Sequence, residues 1–432
     1  MDYSNLSLII NIIIWVITFY IYYRDRKTID SGAVVVGSFL VYAVLSYLLY
    51  NDDLFGDEFH SITIFPFLYL YVMILISISP ILKYTKPGAV ERIAQPNMQV
   101  YNIISILIIV CTLVCIPDSI ANFYSGIVRI LVDQAAGLEI YKETMEETES
   151  ANIGDGAISN LPSIIGGVFA DVGCLMFFYY LTLEKRNKYI SIGLLIAAIY
   201  PIIQNIAISQ RGPVVTRFFT IAISFFAVVK FLPEKVKRIS KIAGIAAVIL
   251  ITIPMVAITL SRFDRDGSGG ALQSVYYYSG QQNLNFNMYG LDDGGIRYGD
   301  RTFPMFKRML GFENVPHNFY ERRTKYPHLK INDEVFIGYV GDFTLDFGPF
   351  VAPIIFILFT FYVISATRIK RRTILFHQLI LVHFVMCVCF QGGMKLYSYA
   401  DVGNLKIIGM FLLYFTFKLI PPERQKNYIN SI

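Results

Sequence analysis

Charge is scarce in this chain. Asp, Glu, Lys and Arg make up 16% of its 432 residues, where soluble domains carry about a quarter. That shortage argues against a water-soluble globular protein. Cysteine is scarce too: Cys111, Cys115, Cys174, Cys387 and Cys389 all fall in apolar stretches. With none in a polar connection, a disulfide framework is not expected. No CxxC or Cys/His spacing suggests a metal, and the five read as small buried hydrophobes. No basic residue precedes the first apolar run, which has Asp2 ahead of it and Arg24-Asp25-Arg26-Lys27 behind. A secretory signal has the opposite flanks, so this run reads as a retained span. No internal repeat is visible, which disfavours transporter folds built from two related halves.

What the chain has in abundance is apolar sequence: 55% hydrophobic residues, 34 Phe and 30 Tyr, with a mean hydropathy of +0.53. Runs near the ~20 residues that cross a bilayer occur at about 4–23, 31–50, 61–82, 98–117, 161–183, 188–208, 213–232, 241–260, 345–367, 373–391 and 402–420. The expected fold class is all-α, a polytopic membrane helical bundle of about eleven transmembrane helices.

Alternate connections are basic: Arg24/Arg26/Lys27, Lys83/Lys86/Arg92, Lys185/Arg186/Lys188, Lys235/Lys237/Arg238/Lys241, Arg368/Lys370/Arg371/Arg372 and the tail Arg424/Lys426. The loop from Asn51 to Glu58 is acidic. The positive-inside rule places the basic set in the cytoplasm, the N-terminus outside and the C-terminus inside. Two long connections then fall outside. Residues 118–160 carry Ile120, Tyr124, Ile127, Val128, Leu131, Val132 and Leu138 at helical spacing, predicting an interfacial amphipathic helix before an acidic stretch around Glu143–Asp155. Residues 261–344 form the second, a large extracytoplasmic loop whose polar part runs from Ser261 to Glu334.

Chemistry-bearing residues gather on that outer side. Arg211 and Arg217 open the seventh span in Ser209-Gln210-Arg211-Gly212-Pro213, where Pro suits a helix start. An Arg at the bilayer centre costs about 2.5–3.5 kcal/mol on insertion scales, less near the interface. Arg217 therefore either snorkels or serves an anion site just under the surface. Asp171, midway through the fifth span, needs a partner, and Arg217 is the expected one. The same Asp also suits a proton relay in a transporter. The large loop holds Arg262, Arg265, Arg297, Arg301 and Arg308 with few lysines, a balance that fits phosphate recognition through paired guanidinium hydrogen bonds. An extracytoplasmic face disfavours nucleic acid as the partner. Tyr276-Tyr277-Tyr278, Asn283–Asn287 and Asp292/Asp293 suit sugars, because rings stack on apolar sugar faces while amides and carboxylates bind hydroxyls. Asp292/Asp293 lacks the EF-hand spacing and reads as a Gly-rich turn. His317 is one of five histidines; its plain role is a solvated loop residue, its chemical one a base near neutral pH. Asp342 and Asp346 share a face if their segment is helical, and Gly348-Pro349 gives a helix start.

Ser209-Gln210-Arg211-Gly212 at a span edge, Pro316-His317-Asn318, and Gly341-Asp342-Phe343-Thr344-Leu345-Asp346-Phe347-Gly348 leading into the next span together resemble the Wzy-type O-antigen or oligosaccharide repeat-unit polymerases, and more distantly the O-antigen ligases. Topology carries the resemblance over nearly the whole chain; the motifs cover about thirty residues. The chain departs from the paired-loop Arg–Gly pattern of such polymerases, since Arg301 to Gly311 is one residue short. The resemblance implies a GT-C-like integral membrane glycosyltransferase in the inner or plasma membrane. It would need no metal or cofactor and would build O-antigen, capsule or exopolysaccharide. Its partners would be an undecaprenyl-diphosphate-linked glycan donor and acceptor, the lipid bilayer and a chain-length regulator. It also implies Arg211 and Arg262 at the donor diphosphate with Arg217, Arg265 and Arg301 in support, His317 as catalytic base and Asp342 in reserve. A ligase or a lipid-linked glycan flippase are the rival expectations.

Overall fold

Inside a bilayer the backbone must satisfy its own N–H and C=O groups, and a helix does so within one segment. The computed structural model describes residues 3–132, 140, 161–263, 270–333, 335–394, 400–420 and 422, and a helix occupies each of the eleven apolar runs. They are α1 (Tyr3–Arg26), α2 (Ser31–Tyr50), α3 (Ile64–Thr85), α4 (Met98–Val132), α5 (Leu161–Tyr180), α6 (Lys188–Ala207), α7 (Arg211–Val228) and α8 (Glu234–Phe263). After three insert helices, α9 (Gly270–Tyr289), α10 (Pro304–Met309) and α11 (Phe319–Lys325), come α12 (Gly338–Ala366), α13 (Phe376–Gln391) and α14 (Ala400–Leu419). Among the described residues eight helices are long and apolar enough to cross a membrane, while α13 is apolar but 16 residues long. The protein is an all-α, membrane-embedded helical bundle.

The basic connections after α1, α3 and α12 share one face. Tyr22 at the end of α1 bonds both Asp30 (2.7 Å) and Thr85 at the end of α3 (2.8 Å). Asp30 caps α2 by accepting from the Ala33 N–H. On the same side two short strands, β1 (Arg92–Ile93) and β2 (Thr373–Ile374), pair in parallel, with an Arg372–Glu91 ion pair beside them. The opposite face carries the acidic 51–58 loop and the insert.

Two connections gain detail from the structure. A helix covers residues 118–132, and it is continuous with α4, which runs through Pro117 to Val132. That extension has a packing surface: Ser119 bonds the Tyr200 hydroxyl (2.8 Å), and Phe123 sits on Ile202, Ile206 and Val214. The acidic stretch around Glu143–Asp155 lies outside the described residues. The insert carries helices of its own. Its helix α9 packs along α2, and all eight residues from Gly280 to Asn287 are buried. A Cβ on Gly280 would stand 2.6 Å from the Leu45 carbonyl oxygen, so only Gly permits this approach. The amides of α9 find backbone partners: Asn287 makes two bonds to Thr63 (2.9 and 2.7 Å), and Gln281 and Asn285 hold the Phe336 N–H and C=O (3.0 and 2.9 Å).

Candidate functional site

The span α12 is two helical pieces. Gly348 has φ 79° and ψ 162°, breaking the helix just before Pro349, which starts the second piece as its position predicts. Pro349 has no N–H to offer the carbonyl of Leu345; the insert supplies one instead, from Arg297 (3.1 Å). The first piece, ahead of the break, puts Asp342 and Asp346 on the face that meets the insert.

At that junction Arg301 spends its donors on protein acceptors. Nε donates to Asp342 (2.5 Å), Nη1 to the Asp333 carbonyl and carboxylate (2.9 and 3.0 Å), and Nη2 to the Val335 carbonyl (3.3 Å). Asp346 accepts from the Arg301 N–H and from both the N–H and hydroxyl of Thr302 (3.2, 2.7 and 2.6 Å). Asn404 of α14 ties the same turn through the Thr302 carbonyl and the Met305 N–H (2.8 and 3.2 Å).

Asp333 stands among three guanidiniums. Arg301 and Arg322 hydrogen-bond it (3.0 and 2.9 Å), and Arg297 Nε lies 3.0 Å away, close enough for an ion pair but not aligned for a hydrogen bond. Burial alone would raise its carboxyl; Arg301, Arg297 and Arg322 more than offset this and hold it below the usual range. Asp300 is treated alike. Burial pushes it up, and Lys307, Lys325 (2.6 Å) and the Tyr326 hydroxyl (2.8 Å) bring it below the usual range. Asp293 differs: burial dominates and raises it, although Arg297 (2.7 Å) and the Ile331 N–H (2.7 Å) bond it.

The bundle holds a second buried charge group. Arg217 Nη1 reaches Asp171 at 3.2 Å, as expected, and its other nitrogens donate to the carbonyls of Ala198 (2.8 Å) and Ala197 (3.2 Å). Lys406 of α14 approaches the other Asp171 oxygen at 3.4 Å. Arg217 is 4% exposed and therefore does not snorkel to the surface. Further along α7, Ser224 bonds His383 of α13 at 2.7 Å, and Gln391 donates to Thr220 at 2.6 Å. Ser224, His383 and Gln391 are buried polar partners that the sequence reading missed. The one available signal was the polar stripe Arg217, Thr220, Ser224 at helical spacing on an otherwise apolar span.

Arg211 and His317 sit outside the clusters just described. Arg211 begins α7, half-buried, with its guanidinium 5.0 Å over the ring centre of Tyr278 on α9. Arg262 is in the last turn of α8, its side chain outside the described set, and Arg265 is among the residues not described. His317 is exposed at the start of α11, its backbone N–H donating to Glu321 (2.7 Å). Arg308 reaches the adjacent Pro316 carbonyl (3.1 Å).

Comparison with protein-family models, curated proteins and solved structures finds no match for this chain. Its chemistry has to be argued from its own residues. Among the described residues no group of three or more His, Cys, Asp or Glu is set to hold a metal. The cap carboxylates face guanidiniums, ammoniums and N–H groups. Asp342 acts here as the counter-ion of Arg301, and a guanidinium with this many protein acceptors has little left for a phosphate. Arg301, Arg217 and Asp342 thus form joints, while Arg211 brings a cation to an aromatic, amide-bearing helix.

Proposed function

We propose that the chain polymerises undecaprenyl-diphosphate-linked oligosaccharide repeat units on the extracytoplasmic side of the inner or plasma membrane. The single observation carrying this reading is Arg211 at the head of a span, stacked on Tyr278 of the buried, amide-rich helix α9. A cation at the membrane edge suits a lipid diphosphate, and the adjoining Tyr, Asn and Gln suit its glycan. Support for sidedness comes from the three basic connections after α1, α3 and α12, which share the face opposite the insert and would lie in the cytoplasm, leaving the N-terminus outside.

In the proposed reaction a hydroxyl of the acceptor sugar attacks the donor's anomeric carbon. The new C–O bond forms as the bond to the diphosphate breaks, and undecaprenyl diphosphate leaves with the electron pair. Arg211 and Arg262 stabilise the charge on the leaving group. His317, exposed on the cap, takes the hydroxyl proton; Asp342 could do so only after giving up Arg301.

The test is a glycan ladder from a strain lacking the native gene. Restoring the chain should restore long products, and Arg211→Ala should cut them to single repeats. Long chains made normally by Arg211→Ala would remove the diphosphate role, and normal polymerisation by His317→Ala at neutral pH would remove the base. The Lys406–Asp171–Arg217 group inside the bundle favours one rival, a lipid-linked glycan flippase. That rival predicts no surface glycan at all in the deletion strain.

A further inference from the structure

A cleft of about 210 Å³ opens where the end of α9 meets the break in α12. It exists because Gly348 turns the chain between the two pieces of α12, while the Gly294 turn (φ 84°) carries the insert back across that junction. Ile296, Leu345 and Pro349 give it apolar walls, Tyr289 lines it beside them, and Asp292 and Asp293 border it. Drug-sized ligands occupy roughly 300–1,000 Å³; this space suits a single ring.

The carboxylates narrow the ligand class. Asp293 is committed to Arg297 and the Ile331 N–H, so it cannot turn both oxygens to a cation. Asp292 is 78% exposed at the side chain and bonded by Lys330 (2.7 Å) and the Gly294 N–H (3.2 Å). Those bonds, Lys330 first, hold its carboxyl below the usual range, so it is an ionised acceptor at neutral pH. An ionised acceptor at the mouth attracts hydroxyl donors and repels a second carboxylate. Apolar walls with Tyr289 beside them suit the C–H face of a pyranose.

We infer that this cleft is a subsite for one uncharged pyranose ring of the glycan, formed between Tyr289, Asp292, Ile296 and Pro349. The choice of a glycan ligand rests on the polymerase reading; the exclusion of acidic sugars rests on the cleft itself. It adds a determinant of sugar specificity outside the Arg211 and His317 regions.

Saturation-transfer NMR on the full chain in nanodiscs tests it, with methyl glucoside, methyl galactoside and methyl glucuronide as probes. At least one neutral glycoside should show transfer, and the glucuronide none. Ile296→Trp should abolish the signal by filling the cleft. Asp292→Asn, at an exposed position that leaves folding alone, should weaken neutral binding about tenfold by removing a charged acceptor and admit the glucuronide. Absence of any neutral signal, an unchanged signal in Ile296→Trp, or equal glucuronide binding by the parent chain overturns the subsite. Because the readout is binding, the two ideas fail separately. Glycoside binding without polymer in cells would sink the polymerase reading alone, and polymer without cleft binding would sink the subsite alone.

Discussion

Two of the buried charge clusters among the described residues are built on different plans. At the junction of the insert and α12, partners come mostly from within one stretch: Asp293, Arg297, Arg301, Arg322, Asp333 and Asp342. In the bundle, Asp171, Arg217 and Lys406 come from three helices far apart in sequence. The first cluster shapes a cap and pins it to one span. The second sets how α5, α7 and α14 face one another. The contrast shows that Arg297, Arg301 and Arg322 are held by carboxylates of the insert and of α12, so an arginine count in a loop says little about anion binding until its acids are paired off.

Breaking the cap cluster should have the largest effect. Asp333→Ala leaves three buried guanidiniums facing one another, and removal of one partner from such a buried group costs about 3–5 kcal/mol. Proteolysis within residues 293–333 should become rapid while the bundle stays folded, as read by gel mobility after limited digestion. Asp171→Leu comes next: it strands Arg217 among spans at a cost of about 2.5–3.5 kcal/mol. Asp171→Leu with Arg217→Leu should recover most of the lost thermal stability in detergent. A double variant no more stable than the single one would mean that the pair does not couple the helices.

A smaller effect should follow acidification. Asp333 and Asp300 are held below the usual carboxylate range, so their contribution is complete above the unfolded value of about 3.9 and is lost as pH falls through their folded values. Asp293 is raised by burial and runs the other way, since protonation relieves it. With Asp333, Asp300 and the exposed Asp292 lowered against Asp293 raised, the cap should hold at about pH 5 and loosen progressively below about pH 4. Pepsin cleavage between residues 293 and 333 measures this. Cleavage that is as fast at pH 5 as at pH 3 would contradict it.

The spans were legible because apolar length alone decides them, and a helix occupies every predicted run. The expected Asp171–Arg217 pair was legible too, since an unpaired charge in a span is expensive. The insert was not. The amides of Asn283–Asn287 read as partners for sugar hydroxyls, yet Asn283, Asn285 and Asn287 are buried together with Gln281 and Gln282. Several of their partners are backbone groups at Thr63 and Phe336, which no side-chain pattern advertises. Asp293 lies only four positions from Arg297, its partner across a turn, whereas Asp333 and Asp342 lie 32 and 41 positions from Arg301 and gave no signal.

The paired strands Arg92–Ile93 and Thr373–Ile374 impose an order of assembly. At roughly 5–20 residues per second of synthesis, the second strand follows the first by some tens of seconds. Until then the Glu91 and Ala94 N–H groups have no Arg372 or Ile374 carbonyl to meet. The early spans must therefore wait in the membrane with one corner unfinished, and the last connection but one closes it.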